Sequence, residues 1–462
     1  MSKKPNIIFI MTDDHAAQAM SCYDSKINET PNLDRIANEG MRFDNCFCTN
    51  SICTPSRATI LTGKHSHMNG VKTLHDTFDS RQQSFPKMLQ KAGYKTAVIG
   101  KWHLTGARGQ QGRTQLINKE IGSPFGFDYW NVLPGQGDYY NPEMIEMGQS
   151  KTYNGYATDI ITDISLQWMQ NLNDDNPFCL LLHHKAPHRP WKPDSKHKDL
   201  YKNEKITIPD NFYDNYENRA KAAKEAKMRI ERDFSYEDLK LIPPEGVNAN
   251  DKIPFPFDLE NFSLQPKEKN NPVTFSSQKE LKEWLYQRYI KDYLRCVASV
   301  DDNVGRVLDY LDEEGLTEDT IVIYTSDQGF FLGEHGWYDK RFMYEESLRM
   351  PFVIRYPEEI EPASICDKIV LNLDFAETIL DFAGIEIPDD MQGRSLRPLL
   401  NGDCLDYWRT SMYYRYWMHL THHYVYAHYG LRTERYKLIY YYGDALGTNG
   451  SINESKDPEW EL

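Results

Sequence analysis

Residues 6–14 read Asn6-Ile7-Ile8-Phe9-Ile10-Met11-Thr12-Asp13-Asp14, an apolar run that stops against two carboxylates. A strand with one wet face alternates apolar and polar residues. An unbroken run needs cover on both faces, as in a parallel sheet flanked by helices. Three later segments repeat the pattern: residues 95–99 run into Gly100-Lys101-Trp102-His103, residues 178–182 into His183-His184-Lys185-Ala186-Pro187-His188, and residues 320–324 into Ser326-Asp327-Gln328. Helix signals lie between them. Thr30-Pro31 opens a helix that Gly40 closes, and another spans Phe85–Lys91 before Gly93. Over residues 282–314, Leu285, Tyr289, Tyr293, Val297, Val300, Val304, Leu308 and Leu311 fall on one stripe of a long helix. Strands alternating with helices predict an α/β fold, a large doubly wound and mostly parallel sheet. In such sheets the site lies beyond the carboxyl ends of the strands. Asp13, Asp14, Lys101, His103, His188, Asp327 and Gln328 are therefore expected to converge.

The chain has 462 residues, more than one ordinary core requires. The reading assigns 1–398 to the α/β domain and 399–462 to a small α+β subdomain. There, Ser411–Tyr416 and residues 436–442 are aromatic, β-prone runs that predict an antiparallel sheet. The ending Glu459-Trp460-Glu461-Leu462 carries no terminating signal, so this subdomain reads as truncated. Between 193 and 275 the pattern breaks down into Lys, Glu, Asn and Pro, either a solvated excursion or a wall of the site. With 40% hydrophobic and 26% charged residues the chain reads as globular. Its formal charge of −15 argues against a nucleic-acid partner but leaves room for an anionic substrate in a local basic pocket. A mean hydropathy of −0.68 and the lack of a long apolar run argue against a membrane span. The basic start runs directly into Asp13-Asp14 without an export signal. That predicts a cytoplasmic protein as written, or a periplasmic or secreted one if a leader has been removed. The eight cysteines (22, 46, 48, 53, 179, 296, 366 and 404) include no CxxC pair, which speaks against a disulfide scaffold and structural zinc.

Cys53-Thr54-Pro55-Ser56-Arg57 opens an apolar helix that Gly63 ends. Free N–H groups at such a start make an anion site that Arg57 would reinforce. Read bare, the segment is equally a helix start with an incidental cysteine. Asp13, Asp14, Asp327 and the Gln328 amide form an all-oxygen set suited to Ca²⁺ or Mg²⁺, although each carboxylate alone could be a turn or cap residue. Adjacent buried acids are costly without a cation.

Cys53-x-Pro55-Ser56-Arg57 followed by Leu61-Thr62-Gly63 resembles the signature of the type I sulfatases of the alkaline phosphatase superfamily. The resemblance runs from Pro5 to about Tyr440 and takes in Asp13-Asp14, Thr30-Pro31-Asn32-Leu33-Asp34, Gly100-Lys101-Trp102-His103, Ala186-Pro187-His188 and Asp327-Gln328-Gly329. Two features depart from it. Gln328 stands where Asn or His is commoner, and the Asp-Leu-x-x-Asp-Pro element after the final strand is missing. The resemblance implies that a maturase converts Cys53 to formylglycine and that its hydrate and a sulfate oxygen complete the shell of one divalent cation. Calcium is the usual ion, with magnesium the alternative. Sulfate-ester cleavage then gives the remaining roles. Arg57, Lys101 and Lys340 hold the charge. His188 with Lys340 protonates the leaving oxygen, Asp327 accepts the proton of the attacking hydroxyl, and His103 takes the proton that regenerates the aldehyde.

The substrate reading leans on Gly126-Phe127-Asp128-Tyr129-Trp130 and residues 133–142 as a sugar-stacking loop, with core packing the plainer account for most of the aromatics. Asp339-Lys340-Arg341 and His423 match positions that line the sugar subsite of the N-acetylglucosamine-6-sulfatases, the glycosaminoglycan-directed branch. Exo-action on a 6-O-sulfated N-acetylglucosamine is expected. Uronate 2-O-sulfatase and choline or aryl sulfatase are the alternatives within the family. Outside it stand a phosphodiesterase of the superfamily and an inactive glycan-binding relative.

Overall fold

A computed structural model of the chain describes residues 4–105, 124–172, 176–256, 258–403 and 407–462. Cys404 lies outside the described residues. The first apolar run forms β1 (Asn6–Thr12), paired in parallel with β4 (Thr320–Ser326) on one side and β3 (Phe178–His183) on the other. β3 pairs in parallel with β2 (Lys95–Lys101). These four are the centre of a ten-stranded sheet. Tyr129–Leu133 adds a further parallel strand beside β2. Antiparallel strands Glu143–Glu146 and Gln149–Thr152 extend that edge. Phe352–Arg355 and Met41–Phe43 extend the other edge, where Ser364–Cys366 closes it.

Burial on both faces follows from the alternation along β1. Ile8 and Ile10 enter one apolar cluster, while Ile7, Phe9 and Met11 enter the other. The first cluster is covered by a long helix, α3 (Gln278–Glu313), whose eight stripe residues are all buried. This helix begins at Gln278, four residues before the span read from the sequence, because Ser277 caps it by accepting from the Glu280 N–H at 3.2 Å. The second cluster is covered by α2 (Cys53–Thr62) and the helix Asp374–Phe382. α1 (Pro31–Asn38) starts with proline inside its first turn, as read.

The stretch 193–275 is more than a solvated excursion. Phe212, Met228, Ile230, Phe234 and Leu239 are fully buried in the first cluster. Their backbone clasps the segment before Asp339: the Tyr338 N–H donates to Met228 O at 3.0 Å and the Ile230 N–H to Gly336 O at 2.9 Å. Its polar residues hid this from the sequence because the apolar ones fit no single period. Toward the C-terminus, β5 (Ser411–Tyr416), β6 (His428–Thr433), β7 (Lys437–Tyr441) and β8 (Glu459–Glu461) make an antiparallel sheet. β6 escaped the sequence reading because Gly430 and the charged Arg432 dilute its β signal. Among the described residues no helix is long and apolar enough to cross a membrane.

Candidate active site

Parallel register brings the chemistry together. Thr12 faces Ser326, so the residues that follow on β1 and β4, Asp13-Asp14 and Asp327-Gln328, emerge side by side. The Asp14 N–H donates to Asp327 Oδ1 at 3.3 Å. One ligand oxygen from each of Asp13, Asp14 and Asp327 lies within 4.8 Å of the others, and all three residues are buried. Asp13, Cys53 and His188 form a second such trio, of mixed oxygen, sulfur and nitrogen donors. Cys53 is the first residue of α2, and its Sγ sits 3.6 Å from Asp13 Oδ1.

Cations face these acids. Arg57, one turn into α2, donates from Nε to Asp327 Oδ2 at 2.9 Å and from Nη1 to Lys101 O at 2.7 Å. Lys101 pairs with Asp13 and Gln136, and Lys340 pairs with Asp14. His188 Nε2 lies 3.8 Å from Asp14 Oδ2, while its Nδ1 is bonded to Arg189 O at 2.6 Å. That second bond fixes Nδ1 as the donor and turns Nε2 toward the acids. His103 is held by Thr54, whose hydroxyl donates to His103 O at 3.0 Å. Asp14 and His103 have φ of 68° and 55°, left-handed conformations that non-glycine residues seldom adopt and that collect at functional sites.

The electrostatics follow from exclusion of water. Burial pushes the Cys53 thiol up to about 12, against the pull of Lys340, so an unmodified thiol is a poor nucleophile here. Burial raises Asp14 to about 6, offset by Lys340 and reinforced by Asp327. Burial, and then Lys101 and Arg57, holds His103 well below the ordinary imidazole value, so it is a neutral base. Three buried oxygen and nitrogen atoms here lack a hydrogen-bond partner: Asp14 Oδ2, Gln328 Oε1 and His103 Nε2. An unpartnered buried carboxylate oxygen and amide oxygen beside three acids fit a hard divalent cation, with Asp13, Asp14, Asp327 and Gln328 as its holders.

The second group of predicted residues gathers at the rim. Asp339 accepts from Arg341 Nε at 3.0 Å and pairs with His423 Nε2 at 3.1 Å. Burial would raise the Asp339 carboxyl, but Arg341 and then His423 hold it well below the usual range. Arg341 Nη1 is buried without a partner. Asp339, Arg341 and His423 all have positive φ (75°, 95° and 58°). His428 is not part of this rim: its Nε2 accepts from the Met343 N–H at 3.2 Å inside the core. Trp191 and Trp337 are fully buried as well, in keeping with plain packing.

The loop 126–142 contributes differently from a stacking surface. Phe127 packs edge-on against Trp102, and Tyr139 is buried, its hydroxyl donating to His188 O at 2.6 Å. Gln136, bound to Lys101, is the loop's reach into the site. Lys185 was also missed. Its side chain is buried beside the Tyr139 ring, 4.9 Å from the centroid, and burial lowers it to about 8. Its place in the His183–His188 run was the available signal.

Comparison with known proteins gives the chain's relatives. The profile described as Sulfatase matches residues 5–385, and that of N-sulphoglucosamine sulphohydrolase, C-terminal, matches residues 333–460. An N-acetylglucosamine-6-O-sulfatase of Bacteroides thetaiotaomicron is 47% identical over 459 residues, covering 96% of this chain and 79% of that protein. The human N-acetylglucosamine-6-sulfatase is 26% identical over 432 residues, covering 90% and 68%. A solved structure, BT4656 in complex with its substrate D-glucosamine-2-N,6-O-disulfate, superposes with a TM-score of 0.85 at 44% identity. It covers 99% of this chain and 90% of that one.

Proposed function

The chain belongs to the sulfatase family and is a sulfuric ester hydrolase, and from that premise we propose that it removes the 6-O-sulfate of a terminal N-acetylglucosamine or N-sulfoglucosamine in a host glycan. The observation that carries the reading is the meeting of Cys53, three acids and three cations in one buried cluster beneath the Asp339–Arg341–His423 rim. Arg57, Lys101 and Lys340 offset the sulfate charge where water cannot. Were Cys53 converted to formylglycine by a maturase, its hydrate would supply a nucleophilic hydroxyl at the start of α2 and a second hydroxyl through which the aldehyde could reform. Asp13, Asp14, Asp327 and Gln328 would hold a divalent cation, calcium by preference over magnesium, which supplies Lewis-acid charge to the sulfate.

The protons move on this chain's own residues. A sugar alkoxide leaves poorly without one, so Lys340, which Asp14 keeps protonated against the cost of burial, is the donor on the leaving side, and His188 turns its Nε2 toward the same Asp14. The unpartnered Nε2 of His103 is free to take a proton from the nucleophile side, and Asp327 is the acceptor during attack.

The similarity to an N-acetylglucosamine-6-O-sulfatase and to a glucosamine-disulfate complex supports the sugar. A uronate 2-O-sulfatase would ask Arg341 to hold a carboxylate through Nη1, directly beside the Asp339 carboxylate bonded to its Nε, and the two like charges would repel. The test is a substrate panel on formylglycine-bearing protein: 6-O-sulfo-N-acetylglucosamine, 2-O-sulfo-uronosyl disaccharide and aryl sulfate. The 6-sulfated sugar should have the highest kcat/KM. Faster turnover of the uronosyl disaccharide would reject the sugar and keep the sulfatase.

A further inference from the structure

Four cationic or imidazole groups stand together on the outer surface: Arg415, Lys72, His67 and His65. Arg415, on the outer face of β5, lies over the ring of Trp417 at 3.5 Å and beside those of Tyr442 and Tyr429 at 5.2 and 5.8 Å. Lys72 sits 4.9 Å from the same Trp417 ring, and His67 is 6.4 Å from it. His65 stacks on His67 at 5.6 Å and meets Tyr413 edge-on at 5.9 Å.

Neighbouring cations on this surface do have partners: Lys64 pairs with Asp390 and Arg409 with Asp374. Among the described residues Arg415 and Lys72 pair with no carboxylate, and Arg415 Nε is buried without a hydrogen bond. Asp76, the acid nearest in sequence to Lys72, accepts the backbone N–H groups of Lys72 and Thr73 through Oδ2 and makes no ion pair with the Lys72 ammonium. The cluster repels itself. Burial lowers His67, and Arg415 and Lys72 lower it further; His65 is lowered to about 4 by burial and then by His67. In a chain of net charge −15, a cationic cluster without ion pairs makes a local positive field that attracts anions.

We propose that Arg415 and Lys72, floored by Trp417 and flanked by Tyr413, Tyr429 and Tyr442, bind a sulfate on a second sugar of the same glycan. A guanidinium fork and an ammonium take the anion, and the tyrosine rings take the sugar's apolar edge. The location fits a glycan that also reaches the active site. The Arg415 N–H donates to Thr49 O at 3.0 Å, and Asn50 Nδ2 donates to Lys72 O at 3.2 Å. Thr49 lies four residues before Cys53, so even an extended chain would separate this anchor from Cys53 by only about 14 Å. The inference rests on the reading that the substrate is a sulfated glycan, and it adds that residues beyond the reacting sugar are recognised.

The test compares wild type with Lys72→Gln, Arg415→Gln and the double variant, all carrying formylglycine and metal. Two substrates are used: 6-O-sulfo-N-acetylglucosamine, and a heparin-derived tetrasaccharide with the same sugar at its non-reducing end. The double variant should raise KM on the tetrasaccharide by about tenfold, with kcat and both constants on the monosaccharide unchanged. Lys72→Glu should raise it further. Unchanged tetrasaccharide KM in the double variant and in Lys72→Glu overturns the site. If Arg415→Gln fails to fold, the half-buried Lys72 pair of variants decides alone. If wild type cleaves neither substrate, the functional reading falls. Calorimetric binding of the tetrasaccharide then decides the site: weaker binding by Lys72→Glu supports it, and equal binding overturns it.

Discussion

The floor of the active site and its rim are built on different principles. The acids of the floor directly follow parallel strands, where register fixes position: Thr12 against Ser326 sets Asp13-Asp14 against Asp327-Gln328, with Cys53 brought up to them by the start of α2. The rim consists of Asp339, Arg341 and His423, held by loop contacts and left-handed backbone, and steadied by the 193–275 stretch through bonds such as Lys227 O to His423 Nδ1 at 2.8 Å. In the proposed reading a floor of this kind would serve any sulfate ester, whereas the rim would choose the alcohol it comes from. The same division separates chemistry from specificity in other α/β enzymes, where loops vary over a constant sheet.

The largest effects are expected from substitutions in the floor. Cys53→Ala should abolish turnover of every sulfate ester by roughly 10⁴-fold or more, with an unchanged circular dichroism spectrum. Asp14→Ala should release the bound cation, read by elemental analysis, and reduce all substrates together. Substantial activity in either variant, or selective loss on one substrate only, would dissolve the distinction.

Rim variants should fail selectively. Asp339→Asn removes the charge that holds Arg341 and His423. It should lower kcat/KM on 6-O-sulfo-N-acetylglucosamine by about 10²-fold, because sites built to hydrogen-bond a sugar hydroxyl lose heavily when the match is broken. Turnover of a small aryl sulfate should change by no more than about threefold on the same reasoning. Equal losses on both substrates would make Asp339 part of the floor.

The difference between the regions also explains what the sequence could tell. The acids of the floor, Lys101 and His188 end or follow buried strands, whereas Cys53 and Arg57 sit on α2, and strand ends in a doubly wound sheet have one place to go. Asp13, Lys101, His188 and Asp327 could therefore be grouped before any coordinates. Rim residues were legible only through resemblance, because nothing in the spacing of Asp339 and His423 states that they touch. Gln136 and Lys185 were missed for a related reason: a Gln in a Gly-rich loop and a Lys between two histidines look like surface residues until burial is known. The core role of Phe212, Met228 and Phe234 was hidden by the charged residues around them.

The smallest predicted effect tests whether the floor is rigid from beneath. α2 carries Cys53 at its start and ends at Gly63, whose φ of 64° completes a left-handed cap. Glu377 lies against that cap: a Cβ on Gly63 would fall 2.7 Å from its Oε1. The same Oε1 accepts the Gly393 N–H at 2.6 Å, and Oε2 is buried without a partner. Burial, and then Asp374, raises this carboxyl from 4.5 to about 8. A carboxyl with a raised folded value contributes its stability below about 4.5 and loses it as pH rises through about 8, because only the folded state resists ionisation. Glu377→Gln keeps the acceptor for Gly393 and removes the ionisation. Its Tm should match wild type near pH 4.5 and exceed it by a growing margin up to pH 9, with sulfatase kcat nearly unchanged at neutral pH. A Tm difference that does not vary with pH would show that Glu377 does not titrate in this range. A fall in kcat without a fall in Tm would instead mean that the end of α2 is mechanically coupled to Cys53, and the floor would then be less fixed than its strand register implies.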